Sequence, residues 1–345
     1  QVLGAGAPIA SSAVTLWAAS AGAATQLSQS QTDADGRFTL SLDGKGADLY
    51  VTAQGGRVAT KASGDNPAIA LMAVLGTTPP DKVVVNEMTT VASVWTQAQF
   101  LDGTAIKGPA LSLKIAADNV PSFVDLATGG WGEAILSPLN GGQTPTMANF
   151  ATSADALSGC VVRVADDACA KLFVAATPPK GAVPTDTLTA ADAIARYPWY
   201  LPKRVFALLD EFYPISPGKT MRAVPFMPYL GFAPSAWVLP LRFDGGGYRA
   251  GGKAMFDSEG NLWIGDNFTV GWQGQDALWQ GNAPSSLPTE SRSRRARPAS
   301  PAAVCKAAPS APRSTRTTTP GSRATAASRL PCSTRRASRS LRPKA

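Results

Sequence analysis

Histidine is missing from all 345 residues, which excludes histidine-based triads, histidine-ligated zinc and imidazole acid–base chemistry from this stretch of chain. No apolar run approaches the ~18 residues that a membrane-spanning helix needs. Cysteine is scarce, at four. Cys160 and Cys169 have no histidine and no second cysteine pair beside them, so a zinc site lacks ligands and neither thiol has a base to activate it. A local disulfide between them is the favoured reading, with buried free thiols as the alternative, and a bridge fits an oxidising compartment. The last 63 residues lack Phe, Tyr and Trp and hold one acid, Glu290. Their four aliphatic residues cannot offset the entropy of ordering, so 283–345 is expected to be disordered.

Charge is present but lopsided. The chain carries 32 Lys+Arg against 24 Asp+Glu, yet 14 of those bases lie in the last 63 residues. The first 282 residues therefore hold 18 bases against 23 acids, a net of −5. One reading of the tail is a basic arm for nucleic acid, anionic lipid or an acidic partner. The other, which is favoured, is a wrong reading frame of a GC-rich gene, because such frames over-produce Arg, Ser, Pro, Ala and Thr. If each true codon joins the third base of one residue to the first two of the next, Ala337 to Ala345 can encode K-P-L-S-P-P-E-G. Ser310 to Ser322 then allows F-G-x-A-I-D-A-N-N-N-A-W-V. That text permits Asp, Asn and Trp at the same offsets as Asp257, Asn261 and Trp263 upstream. A frameshift is accordingly expected near Ala283 to Ser286, leaving Cys305 and Cys332 without chemistry. The first residue is Gln1, so any targeting segment is expected to have been removed or not captured.

Residues 1 to about 60 alternate apolar and polar side chains in short runs: Ala13 to Trp17, Arg37 to Leu42 and Asp48 to Ala53. Broken by Gly and Asp turns, this period of two predicts an antiparallel sandwich. Asp35-Gly36 supplies a tight turn. Asp33, Asp35 and Asp43 lack calcium-loop spacing and are expected to be solvated turn acids. The runs Gly6 to Trp17, Thr32 to Leu40 and Leu49 to Gly56 resemble the carboxypeptidase regulatory-like module, a small transthyretin-like sandwich common in bacterial secreted and surface proteins. The resemblance implies an accessory domain and no particular activity. Its first strand is barely present, as N-terminal truncation would produce.

From about Val84 the period becomes helical. Met88, Val91, Ala92, Trp95 and Ala98 form one stripe after Asn86, an N-cap residue. Met147, Phe150, Ala151, Ala154 and Leu157 form a second, with Gly159 expected to stop it. Leu188, Ala191 and Ile194 form a third, ending before Pro198. Val205, Leu208, Leu209 and Phe212 form a fourth after Pro202, a first-turn proline. A further helix is expected over Asp166 to Ala175. The run Val85 to Trp95 resembles the helical segment that follows such sandwich modules in some bacterial extracytoplasmic proteins.

From Met221 the text turns β-like and aromatic. Trp237 to Phe243 leads into Asp244 to Gly247, which lacks the Lys-Ser/Thr of a phosphate loop and is expected to enter a β-blade. Lys253 to Phe256 and Leu262 to Ile264 flank the turn Asp257-Ser258-Glu259-Gly260-Asn261. With Trp263, that hairpin resembles a blade of the NHL-repeat and streptogramin-lyase-like β-propellers. Asp257 and Asn261 are expected to bond turn backbone and Trp263 to pack between sheets. Lyases of that family depend on histidine, acidic residues and magnesium, and no histidine here can receive the assignment.

The fold expected is therefore multidomain and mixed: a β-sandwich over 1–72, an all-α middle domain over 73–220, a partial β-propeller blade over 221–282 and a disordered basic tail over 283–345. The function expected is extracytoplasmic binding or scaffolding with a propeller ligand face, the ligand being a carbohydrate, peptide or protein. No catalytic residue, cofactor or metal is assigned, and nucleic acid is not favoured. Secretion to the periplasm or cell surface is expected, with self-association through unpaired propeller edges. The alternative is a streptogramin-lyase-like enzyme whose catalytic residues lie past Asn282.

Overall fold

A computed structural model describes residues 1–42, 48–59, 64–142, 144–243, 251–266 and 285–287, with 251–253, 264–266 and 285–287 in their backbone. The strands at the N-terminal end are β1 (Leu3–Gly4), β2 (Ala7–Ala10), β3 (Ala13–Ala19), β4 (Thr25–Gln31), β5 (Asp48–Gln54), β6 (Arg57–Val58) and β7 (Ala70–Gly76). They form an antiparallel four-stranded sheet in the order β4-β3-β5-β7 and a smaller antiparallel sheet in the order β1-β2-β6.

The expected strand over Arg37 to Leu42 does not form. Its place beside β3 is taken by β4, Thr25–Gln31, whose Gln and Ser side chains are mostly exposed, as suits an edge. Phe38 and Leu40 instead lay their side chains on the core from an irregular segment. The Asp35-Gly36 turn does form. Asp33 Oδ1 accepts from Asp35 N at 2.9 Å and Arg37 N at 2.8 Å, and Gly36 takes a φ of 68°. A Cβ on Gly36 would lie 2.5 Å from the Val2 carbonyl oxygen, so the turn admits no side chain there.

After β7 come α1 (Glu87–Gln97), the hairpin β8 (Leu101–Asp102) with β9 (Ala105–Ile106), α2 (Ala110–Asp118) and α3 (Val120–Phe123). The hairpin β10 (Val124–Asp125) with β11 (Gly130–Trp131), α4 (Glu133–Leu136) and α5 (Pro138–Gly141) follow. Then come α6 (Thr146–Val161), α7 (Ala168–Ala176), α8 (Thr187–Arg196) and α9 (Pro202–Phe212). The stretch 73–220 is thus not all-α. Gly103 and Gly129, at φ 61° and 69°, let the chain reverse into two short hairpins that the helical period hides.

Asn86 and Asp186 cap α1 and α8, each through a reciprocal capping box with a threonine three residues on. Gly159 does not stop α6, which continues to Val161. Its missing Cβ would fall 2.1 Å from Phe212 Cδ2, so the glycine makes room for the Phe212 ring of α9 against α6. The disulfide Cys160–Cys169 is present and joins the end of α6 to α7. Asn66 Nδ2 ties that corner to the sheet side by donating to Cys160 O at 2.8 Å.

Helices and sheet share one hydrophobic core running from Val2 to Trp237. The boundary expected after Met72 falls inside β7, whose free edge is bonded by helix side chains in place of a neighbouring strand. Met72 N donates to Thr90 Oγ1 at 3.0 Å and Val74 N to Ser93 Oγ at 2.9 Å, both from α1. Thr187, at the start of α8, accepts from Ala70 N at 2.9 Å and donates to Ala70 O at 2.7 Å.

Residues 221–243 form no strand among the described residues. Pro225, Pro228, Pro234 and Pro240 lack ladder donors, and the segment lies irregularly along α6. A polar row at a spacing of three holds it: Thr146 donates to Pro240 O, Asn149 to Val238 O, Thr152 accepts from Leu230 N and Asp155 from Phe226 N. Trp237, in the segment read as β-like, is 1 % exposed within the helical body.

The Asp257 hairpin forms between β12 (Gly251–Phe256) and β13 (Leu262–Asp266), with β14 (Ser285–Leu287) added on the far side of β13. Asp257 Oδ1 accepts from Glu259 N and Asn261 N, and its Oδ2 from Asn261 Nδ2 and Trp263 Nε1, all at 2.8–2.9 Å. The indole of Trp263 therefore bonds the turn and stands 39 % exposed rather than packed between sheets. Gly260 takes a φ of 88°, and the turn repeats the Asp33 turn bond for bond at its backbone. Strand β14 falls within the stretch expected to be unstructured. The remainder of that stretch, the run Asp244 to Gly247 and Asp43 lie outside the described residues.

Candidate functional site: an acidic cleft beside Trp131

Strand β7 ends at Gly76, φ 70°, beside α2, where a Cβ would lie 3.7 Å from that of Ala117. Beyond it Thr77, Thr78 and Pro80 run past the β10–β11 hairpin, and the space enclosed is a cleft of about 690 Å³. The hairpin is fixed by three hydrogen bonds to its neighbours. Val84 N donates to Leu126 O at 2.8 Å, Asn86 Nδ2 to Gly129 O at 3.0 Å and Gly132 N to Phe123 O at 2.9 Å. A Cβ on Gly129 would meet Asn86 and Val84 at 2.6 Å, so the hairpin can lie this close only with glycine there.

Leu75, Val124, Leu126, Pro121 and Leu136 give the cleft an apolar wall. Trp131 stands in it half-buried, its ring tilted on Phe150 at 5.5 Å, and Phe150 stacks in turn on Phe123 at 6.0 Å. Three carboxylates join the tryptophan. Asp118 is held by Lys114 at 2.5 Å, Asp125 orders its own turn through Ala127 N and Thr128 Oγ1, and Glu133 stands exposed at the start of α4. An aromatic face among carboxylates is a setting for a positively charged group on an apolar body.

A second hollow of about 820 Å³ shares Leu75, Pro80 and Ala127 with the first. It lies between the sheet face, at Leu16, Leu49 and Val51, and the Phe38–Leu40 segment that replaced the expected strand.

The remaining acids of interest are enclosed. Glu87 and Asp155 are both 0 % exposed. Glu87 accepts from Ala5 N and Asp155 from Phe226 N, each at 2.9 Å, and the second oxygen of each has no hydrogen-bond partner among the described residues. Burial pushes Glu87 up to about 7 and Asp155 up to about 8, with the charge of Glu87 adding to the latter. The Tyr213 hydroxyl, 2.6 Å from Ser158 Oγ, is also raised by burial. Solvent does not reach these groups, so they shape stability rather than chemistry on a ligand.

None of the residues singled out from the sequence lines the cleft. Cys160 and Cys169 are bridged to each other. The turn residues Asp33, Asp35, Gly36, Asp257, Gly260 and Asn261 hold backbone, and Trp263 bonds into the same turn as Asp257. That aspartate is held well below the usual carboxylate range by its bonds from Trp263 and Asn261. The cleft residues carry no local signal in the sequence because they are spread over six elements, and only Asp125-x-x-x-Gly129-Gly130-Trp131 has the spacing of a turn followed by a ring. Among the described residues no helix is long and apolar enough to cross a membrane, and no three Cys, Asp or Glu side chains gather as a metal site. No family model, curated protein or solved structure matches the chain.

Proposed function

We propose that this is a binding protein of an oxidising, extracytoplasmic compartment. Its two N-terminal sheets would be the layers of a regulatory-like sandwich, and its β12–β14 unit a blade of a propeller-type domain. The acidic cleft receives a ligand with an apolar body and a positive charge, such as an alkylammonium group or a basic peptide side chain. The observation that carries this reading is the convergence of Trp131, Asp118, Asp125 and Glu133 on one hollow of about 690 Å³. The Cys160–Cys169 bridge supports the compartment.

Calorimetric titration with benzyltrimethylammonium, against neutral benzyl alcohol, tests the cleft. The expected result is saturable binding of the cation alone. Glu133→Gln weakens it about 2–5-fold, the effect of one partly solvated charge, and Trp131→Ala weakens it further. Equal binding of the two probes, or no effect of either substitution, would remove the proposal. The lyase-like alternative places its catalytic residues past Asn282, and the Asp257–Trp263 turn supplies none of them, its carboxylate oxygens being engaged in holding that turn.

A further inference from the structure

The loop joining α8 to α9 reads Tyr197-Pro198-Trp199-Tyr200-Leu201. Only Pro198 is buried. Trp199 is 68 % exposed, Tyr197 40 %, Tyr200 39 % and Leu201 42 %. Scattered apolar side chains are ordinary on a surface, but consecutive outward rings are a feature of interaction sites.

The loop is held from beneath. Trp237 donates its backbone N–H to Pro198 O at 2.9 Å and its indole N–H to Pro202 O at 3.3 Å, while Tyr200 N donates to Tyr197 O at 2.9 Å. Leu201 sits at φ 48° and ψ 51°, a left-handed conformation that residues with a Cβ seldom adopt. The fixed proline Pro202 follows at once. Rings anchored this way are presented to a partner without further ordering cost.

Charge identifies the partner. Lys203 and Arg204 follow the rings directly and are exposed. Neither has an ion-pair partner among the described residues, and the first turn of α9 contains no acid. Residues 1–282 are net −5, so this is a cationic spot on an acidic body. Trp and Tyr beside Lys and Arg are the side chains that settle at a membrane–water boundary, rings at headgroup depth and cations on phosphate.

We infer that the Tyr197–Arg204 surface docks on an anionic lipid bilayer, with Trp199 entering the headgroup layer and Lys203 and Arg204 meeting lipid phosphates. Such a contact lies on the membrane and needs no spanning segment. A glycan would use the rings but not the two cations, and a second copy of the chain would bring an acidic face to them; both are outcomes the test separates.

The test uses the full chain with phosphatidylcholine vesicles, with or without phosphatidylglycerol, whose acyl chains carry bromine near the headgroup. The 14 bases of residues 283–345 attract anionic vesicles by charge alone, so insertion depth is the main readout and attachment is compared only in high salt, where that attraction is screened. Tryptophan emission should be quenched on the anionic vesicles. Trp199→Phe should keep attachment and lose most of that quenching. Trp199→Ala should weaken attachment about tenfold in high salt, where charge is screened. Unquenched wild type, or quenching that survives in Trp199→Phe, would overturn the inference. So would a Trp199→Ala variant that attaches like wild type but loses a dimer in sedimentation, or loses binding to a soluble glycan.

Discussion

Glu87 and Asp155 set how the stability of the helical body responds to pH. Their folded values, about 7 and about 8, lie above the ordinary carboxyl range. Between those limits the folded state holds more protons than the unfolded one. Their favourable contribution is therefore complete below about pH 4 and is lost as pH rises through 7 and 8. Thermal unfolding should show a melting temperature falling from pH 5.5 to pH 8.5. Asp155→Asn, which keeps an acceptor for Phe226 N, should flatten that fall and gain stability at the alkaline end. A slope unchanged in the variant would mean that Asp155 is ionised throughout. The bridge closes a loop of separation nine and contributes about 2–3 kcal/mol. Non-reducing peptide mapping should recover Cys160 and Cys169 as one linked peptide. Two alkylated thiols would reject the bridge and the oxidising compartment inferred from it.

The elements are joined by polar side chains that face inward. Thr90 accepts from Met72 N and donates to Asn86 O at 2.7 Å, so Thr90→Val leaves a buried N–H on β7 without its acceptor. The expected loss is about 1–3 kcal/mol in urea unfolding. A change within error would show that water or a shifted Ser93 takes over the edge. At the α6–α9 crossing, Gly159→Ala forces a methyl into the Phe212 ring and should cost about 1–3 kcal/mol despite the better helix propensity of alanine. Combining it with Phe212→Leu should cost less than the two changes added together. The helices α1, α6, α8 and α9 were legible because their apolar stripes and caps are local signals. The inward hydroxyls were not, because Thr, Ser and Asn at helical spacing read as a solvent face until a sheet edge or an irregular segment is placed against them. Strand β4 escaped for the related reason that Gln and Ser at an exposed edge carry no alternation.

Across the whole molecule, the mixed β and α character was legible and the layout was not. Apolar period reports which face of an element is buried but not against what, so β7 read as the last strand of a module although α1 and α8 complete its edge. The proline-bearing segment 221–243 read as β for its aromatics, yet Trp237 and Phe226 serve the helical core while Phe232 and Phe243 stand exposed. Resequencing the gene past the codon for Asn282 should restore a frame with further Asp-x-x-x-Asn-x-Trp hairpins continuing β12 and β13. An uninterrupted frame without them would leave the basic arm as a real element. The cleft was invisible at every shorter range, because Asp118, Asp125, Trp131 and Glu133 meet only once α2, the β10–β11 hairpin and α4 have packed around the end of β7. Its role is therefore best tested by position. Crystals soaked in 4-iodobenzyltrimethylammonium should give an anomalous iodine peak inside the cleft with the ammonium group within about 6 Å of the Trp131 ring. Iodine elsewhere on the surface, or an empty cleft at saturating probe, would contradict the account.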